Sequence, residues 1–368
     1  MLQGFIQKRA GTFYFVITSI VSMRTTVSIL FIAGLILGIA LAQPADVLPL
    51  KLDDDAFWRL ITNFSEPDGA FRYENLLSNE ASYQVVIPAL KRIAQSGGAY
   101  IGVGPEQNFT YIAALEPKIA FIVDIRGQNT LELLMYKALF EISTNRAEFV
   151  SQLFSRRRPT GLDTKSTAQE LFSAYESQTC DMAMLGRTVK HVNDRLILDH
   201  HFPLSTDDQN TIRHVLEVFC ARGPQIDYGF VNAPSNLSAP SYSDLMTATD
   251  GWGVNWSYLA NEANFARVQG MQLNNLIVPL TGDFGGMRTL RAVGAYLKRH
   301  NVTLTAFYVS NVEQYLVKEQ QLRFKTNVSM MPTAPSSVII RFMPPNSTVL
   351  EWVKDFLYKR GLFHLLEK

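Results

Sequence analysis

Apolar residues recur at helical spacing over Asp53–Ile61 and Ala81–Ser96, with a polar, turn-rich stretch between them. Gly97-Gly98 ends the second helix. Tyr100–Val103 reads as a short apolar strand followed by the turn Gly104-Pro105, and Gln107–Leu115 as a helix stopped by Pro117. Lys118–Ile125 is rich in Ile, Val and Phe, which suits a strand buried on both faces. Thr130–Thr144 puts Leu131, Leu134, Met135, Ala138 and Leu139 on one side of a helix.

Arg156–Thr167 breaks this rhythm with three arginines, a proline, a glycine and an aspartate. Three helical segments follow from Thr167 to Arg222 with no clear strand. Tyr228–Tyr242 is rich in Pro, Ser and Asn and reads as loop. A helix near Tyr258–Leu273 leads to the strand Asn275–Leu280, the loop Thr281–Gly286 and the helix Met287–Arg299. Thr303–Val309 is a further strand, and Asn311–Val317 begins a helix. Ser337–Phe342 is the last strand, before a C-terminal helix over Thr348–Tyr358. Strands alternating with helices imply an α/β fold with a mainly parallel sheet and helices on both faces. Residues 53–359 read as one domain, with a helical cap inserted at about 160–225.

Composition adds boundaries. Of 368 residues, 47% are hydrophobic and 18% charged, enough for a substantial core. The net charge of +1 supplies no basic field for nucleic acid. The N-terminus stands apart. Met23 is a candidate start residue, followed by Arg24, the apolar run Val27–Ala42 and the small-x-small pattern Ala40-Leu41-Ala42 before Gln43. Those are the parts of a secretory signal peptide. The run is slightly short for a span of about 20 residues, so residues 1–46 read as a signal peptide or as an uncleaved membrane anchor. Lys8, Arg9 and Arg24 precede the run and Asp53-Asp54-Asp55 follow it, so either reading sets the domain outside the cytoplasm, periplasmic, extracellular or membrane-anchored. The only cysteines are Cys180 and Cys220. An exported domain can pair them, while two separate core cysteines on helices is the plainer reading. Asn-x-Ser/Thr sequons fall at Asn63, Asn108, Asn236, Asn255, Asn301, Asn327 and Asn346 and matter only in a eukaryotic secretory pathway.

The chemistry should lie beyond the carboxyl ends of the strands, where open α/β sheets bind ligands. Gly102, Gly104, Glu106 and Asn108 follow the first strand, and Asp124, Arg126 and Asn129 the second. TGDFGG, with Asp283, follows a later strand, and Ser310 and Asn311 another. Asp124 stands 20 residues after Gly104, where a carboxylate accepts both hydroxyls of a ribose. Salt bridging to Arg126 is its plain alternative. Glu106 takes the place of a third glycine and would repel phosphates, which lowers NAD and nucleoside triphosphates as ligands. Asp199, His200, His201, His191 and His214 lack the spacing of a metal site and read as surface or helix-end residues. Arg156-Arg157-Arg158 reads as a solvated loop.

The layout from Gly102 to Asp124 resembles the cofactor site of class I S-adenosylmethionine-dependent methyltransferases, which have a Rossmann-like fold. EPDGAFRYENLLSNE, YIGVGPEQNFTYI, FIVDIRGQN, GDFGG and YVSNVEQYL also resemble a bacterial family of uncharacterised proteins with a methyltransferase-like fold, over roughly Asp53 to Phe342. The resemblance implies a pocket in which Gly102, Gly104, Glu106, Asn108, Asp124, Arg126 and Asn129 surround S-adenosylmethionine, while Asp283 and Asn311 orient a methyl acceptor. The alternative is an exported or membrane-anchored module that uses the same strand edge for another small molecule, or for none. A hydrolase with Asp283 and Asp124 as acid and base lacks a nucleophile signature.

Overall fold

The computed structural model describes residues 46–94, 96–228, 239–343 and 346–358. Helix α1 (Asp54–Phe64) begins at Asp53, whose carboxylate accepts from the Ala56 amide at 2.6 Å. The helix expected over Ala81–Ser96 is shorter: turns lead into α2 (Ile87–Ile93), with Pro88 in its first turn, where proline costs no hydrogen bond. Next come β1 (Ala99–Gly102), α3 (Gln107–Leu115), β2 (Ile119–Asp124) and α4 (Gly127–Ile142). Helices α5 (Arg146–Phe154), α6 (Ala168–Glu176), α7 (Met182–Asn193), α8 (Thr206–Arg222) and α9 (Tyr242–Thr247) fill the long connection to α10 (Glu262–Leu273) and β3 (Ile277–Thr281). The chain then forms α11 (Thr289–Arg299), β4 (Leu304–Ser310), α12 (Lys318–Ser329), β5 (Thr333–Met343), β6 (Ser347–Trp352) and α13 (Val353–Tyr358).

The strands form one sheet in the order β3-β2-β1-β4-β5-β6. All neighbours are parallel except β5 and β6. This is an α/β architecture with a mainly parallel, mixed sheet. Strands β1, β2 and β3 are buried along their whole length, as their unbroken apolar runs require. Alternate residues feed two helical layers. On one face Phe121 of β2 packs on Phe64 of α1 and Tyr296 of α11, and Phe307 of β4 packs on Phe324 of α12. On the other, Tyr100 and Tyr308 meet Tyr111 of α3, and Phe109 of α3 meets Tyr136 and Phe140 of α4. Each fully buried ring contributes on the order of 2–3 kcal/mol.

The helical block Ala168–Arg222 packs on α4 and α5 through rings such as Phe154 and Tyr136 against Phe219. A disulfide joins Cys180 to Cys220, with Cα atoms 5.2 Å apart. Two separate helical cysteines were the plainer expectation. Cys180 instead lies just before α7, and its neighbour Asp181 caps that helix beside α8.

Two further expectations change. Thr348–Tyr358 does not form one helix: Ser347–Trp352 pairs antiparallel with β5, and only Val353–Tyr358 is helical. Thr348 is buried and its neighbour Val349 exposed, so the segment alternates as an edge strand does. Asn311–Val317 yields one 3-10 turn at Val312–Gln314, and the helix proper is α12. The apolar run Val27–Ala42 lies outside the described residues. Among the described residues no helix is long and apolar enough to cross a membrane.

Candidate functional site

The strand order reverses between β1 and β4, so their flanking connections leave in opposite directions and open a crevice at the carboxyl edge. A cavity of about 520 Å³ occupies it. Its walls include Gly104 after β1, Asp124 and Arg126 after β2, Asp283 after β3, and Tyr308, Ser310 and Asn311 at the end of β4. A further wall is the stretch between α1 and α2, which runs across the strand ends. Two backbone bonds and one side-chain bond hold it there. Glu66 N–H donates to the Thr281 carbonyl, Gly69 N–H donates to the Ile125 carbonyl, and the Asp68 carboxylate accepts from Gly127 N–H at 2.5 Å. The last contact sets a negative charge on the positive end of α4. So pinned, the stretch presents Phe71, Arg72, Tyr73, Asn75 and Glu80 to the cavity.

The structure divides the residues singled out in the sequence. Gly104, Asp124, Arg126, Asp283 and Asn311 line the cavity. Gly104 has a φ of 78°, a conformation that favours glycine. Arg126 grips Asp124 with two bonds, Nε to Oδ1 at 3.0 Å and Nη2 to Oδ2 at 3.2 Å, and its backbone N–H adds a third at 2.9 Å. Both carboxylate oxygens are therefore engaged. Asp283 is engaged too, accepting from Gly285 N–H at 2.8 Å and from the Gln320 amide at 2.9 Å.

Gly102, Glu106, Asn108 and Asn129 lie behind the turn. A Cβ on Gly102 would come within 1.8 Å of Asn108 Oδ1. Asn108 donates to the carbonyls of Val103, Gly104 and Pro105 and accepts from the Tyr100 hydroxyl, so it braces the turn. Asn129 donates to the Gly104 carbonyl at 3.2 Å from the first turn of α4. Glu106 is fully buried on the core side, and burial pushes its carboxyl up to about 8. Glu132 of α4 is also fully buried and raised well above its usual range, first by burial and then by Glu106.

Glu80 was not singled out in the sequence, because it sits in a stretch without helical or strand period. It is 1% exposed at the cavity floor. Burial raises its carboxyl to about 7, against the opposing effect of bonds with Ser310, Tyr308 and Gln107. Ser310 Oγ donates to Glu80 from a left-handed backbone, with a φ of 51°, where the β4–β5 register shifts. Non-glycine residues in that region store strain and cluster at functional sites. An acid that exchanges its proton near neutral pH in a ligand-sized cavity can recognise charge or move a proton.

The histidines serve elsewhere. His200 bridges Asp54 at 2.8 Å and Glu141 at 2.6 Å, and His214 pairs with Glu74 at 2.9 Å. Among the described residues no group of His, Cys, Asp and Glu side chains could hold a metal ion. The arginine run is not simply solvated: Arg156 is buried and donates to the Tyr175 carbonyl, and Arg157 pairs with Asp181.

The fold and cavity define a mainly parallel α/β protein with a ligand-sized crevice at the strand reversal. The chain belongs to the family described as Domain of unknown function (DUF7790), whose model matches residues 76–366. No curated protein matches it.

Proposed function

We propose that this protein is an exported small-molecule-binding protein on a Rossmann-like scaffold of the methyltransferase type, using the strand-edge cavity for a ligand other than S-adenosylmethionine. The scaffold reading is supported by the strand order, the reversal between β1 and β4 and the antiparallel edge strand. The observation that carries the functional reading is the Asp124–Arg126 pair. At the position where a ribose is held, both carboxylate oxygens already bond the guanidinium. Glu106, which the resemblance places among the residues around the cofactor, is fully buried and does not line the cavity. The Cys180–Cys220 disulfide agrees with export, because such bonds persist in oxidising compartments and S-adenosylmethionine is a cytoplasmic metabolite.

Methyl transfer is the second reading. The placement of Asp124 at the end of β2, beside a glycine turn, favours it. Isothermal titration of the full chain with S-adenosylmethionine separates the two. The binding reading expects no heat and no thermal shift at millimolar ligand, together with fragments occupying this cavity in a crystallographic soak. Saturable S-adenosylmethionine binding lost in Asp124→Ala would overturn it in favour of methyl transfer. A cavity left empty by a broad fragment set would remove it altogether.

A further inference from the structure

The charged side chains lining the cavity are Arg72, Glu80, Asp124, Arg126 and Asp283. Asp124 and Arg126 neutralise each other. Arg72 is exposed, so solvent screens it. That leaves Glu80 and Asp283, both acidic. One usual cradle for an anion is also taken, because the N-terminus of α4 carries the Asp68 carboxylate. The same cavity carries a wall of rings in edge contact. Phe71 lies 5.2 Å from Tyr315 and 6.3 Å from Tyr73, and Tyr73 lies 6.0 Å from Tyr228. All four line the cavity. Aromatic faces attract cations, and cages of such rings bind ammonium groups.

We infer that the cavity takes a small organic cation, an amine or quaternary ammonium, seated between the ring wall of Phe71, Tyr73, Tyr228 and Tyr315 and the carboxyl group of Glu80. The inference rests on reading the cavity as a ligand site. It adds the class of ligand.

Proton release follows from the geometry. Glu80 is held by Ser310 and Tyr308 of β4 and by Gln107 of α3. The titratable groups that act on it are Tyr308, Tyr100 of β1 and Tyr111 of α3, all kept neutral by burial. Its carboxyl titrates at about 7, so at neutral pH it is shared between acid and carboxylate. A bound cation selects the carboxylate and expels up to about half a proton.

The test is calorimetric titration of the full chain with choline and with its neutral carbon isostere, in which a tert-butyl group replaces the trimethylammonium. Two buffers of different ionisation heat report the proton. The expected result is affinity for choline at least about tenfold above the isostere, with proton release at neutral pH and tighter binding as pH rises through about 7. Glu80→Gln should lose about tenfold or more and all of the proton release. Tyr315 is 57% exposed, so Tyr315→Leu keeps the fold; it should weaken choline several-fold while proton release stays. Equal affinity for choline and isostere, or proton release surviving in Glu80→Gln, overturns the inference. If neither probe binds while neutral fragments fill the cavity, the cation falls and the ligand-site reading stands. A cavity empty to all of them brings down both.

Discussion

Removing the Cys180–Cys220 bond should lower stability by about 4 kcal/mol, and the figure follows from the chain. The bond closes a separation of 40 residues. The loop-closure entropy withheld from the unfolded ensemble is then about 13 cal/mol/K, or about 4 kcal/mol at room temperature. Unfolding entropy of roughly 2.1 cal/mol/K per residue amounts to about 0.7 kcal/mol/K for a unit of this size. The melting temperature should therefore fall by about 6 °C. Melting curves of oxidised and reduced wild-type protein measure this directly. The Cys180→Ala/Cys220→Ala double variant gives a second route, with about 1 kcal/mol more lost because Cys220 is fully buried and its truncation leaves a small void. Thiol titration of the unreduced, unfolded protein must find no free thiol. Two free thiols, or equal melting temperatures with and without reductant, would refute the reasoning and weaken the case for an oxidising compartment.

Burial pushes the Glu141 carboxyl up, but bonds with His200 and Lys137 outweigh it and hold the group at about 2. Its contribution, about 3 kcal/mol, is present above the unfolded value of about 4.5 and lost as pH falls through about 2. Glu141→Gln should therefore destabilise at neutral pH and lose its effect towards pH 2, measured by urea unfolding across pH; a deficit unchanged in acid would contradict the linkage. Glu106 has the opposite sign, since burial raises it from 4.5 to about 8. Stability should decline as pH rises through that window, and Glu106→Gln should flatten the decline; an unchanged slope would show the carboxyl is not held neutral. Expressed through a eukaryotic secretory pathway, the protein should carry glycans at the exposed Asn63, Asn301 and Asn346 and none at the buried Asn108 and Asn327. Peptide mass spectrometry reads this, and occupancy of Asn108 in folded protein would contradict the bracing of the turn.

The strands buried on both faces were legible because their apolar runs are short and bounded by glycine, proline or acidic residues, as at Ile119–Asp124. The hairpin partner Ser347–Trp352 was not, because a short edge strand followed at once by a helix has no clean period of its own. At the site, the spacing from Gly104 to Asp124 pointed to strand ends that line the cavity. It could not show that Glu106 turns inward or that Asn108 is consumed by three carbonyls, since side-chain direction after a tight turn depends on tertiary packing. The disulfide was hidden for the same reason: 40 residues of chain say nothing about whether two Cα atoms meet. Glu80 and the ring wall were invisible as a group. Phe71, Tyr73 and Glu80 precede β1, whereas Tyr308, Ser310 and Tyr315 follow more than 200 residues later, and only the pinned crossing of the strand ends unites them.

The Asp124–Arg126 pair bears on what kind of ligand the cavity favours. A ribose that displaced the guanidinium from Asp124 would leave a buried charge unpartnered, at a cost of about 3–5 kcal/mol. Two hydroxyl bonds to a carboxylate return about 1.5–3 kcal/mol each, so the exchange comes out near even. Selectivity then passes to the rest of the cavity, where Asp68 occupies the end of α4 against phosphate and the ring wall shares the cavity with a buried acid. A ligand that leaves the Asp124–Arg126 pair intact and carries its charge towards Glu80 gains from both walls and displaces neither. A nucleoside gains from the rings alone. On the reading proposed above, the strand reversal that makes a cofactor crevice in other sequences serves a different chemistry here, with Asp124 already bonded to the arginine two residues past it.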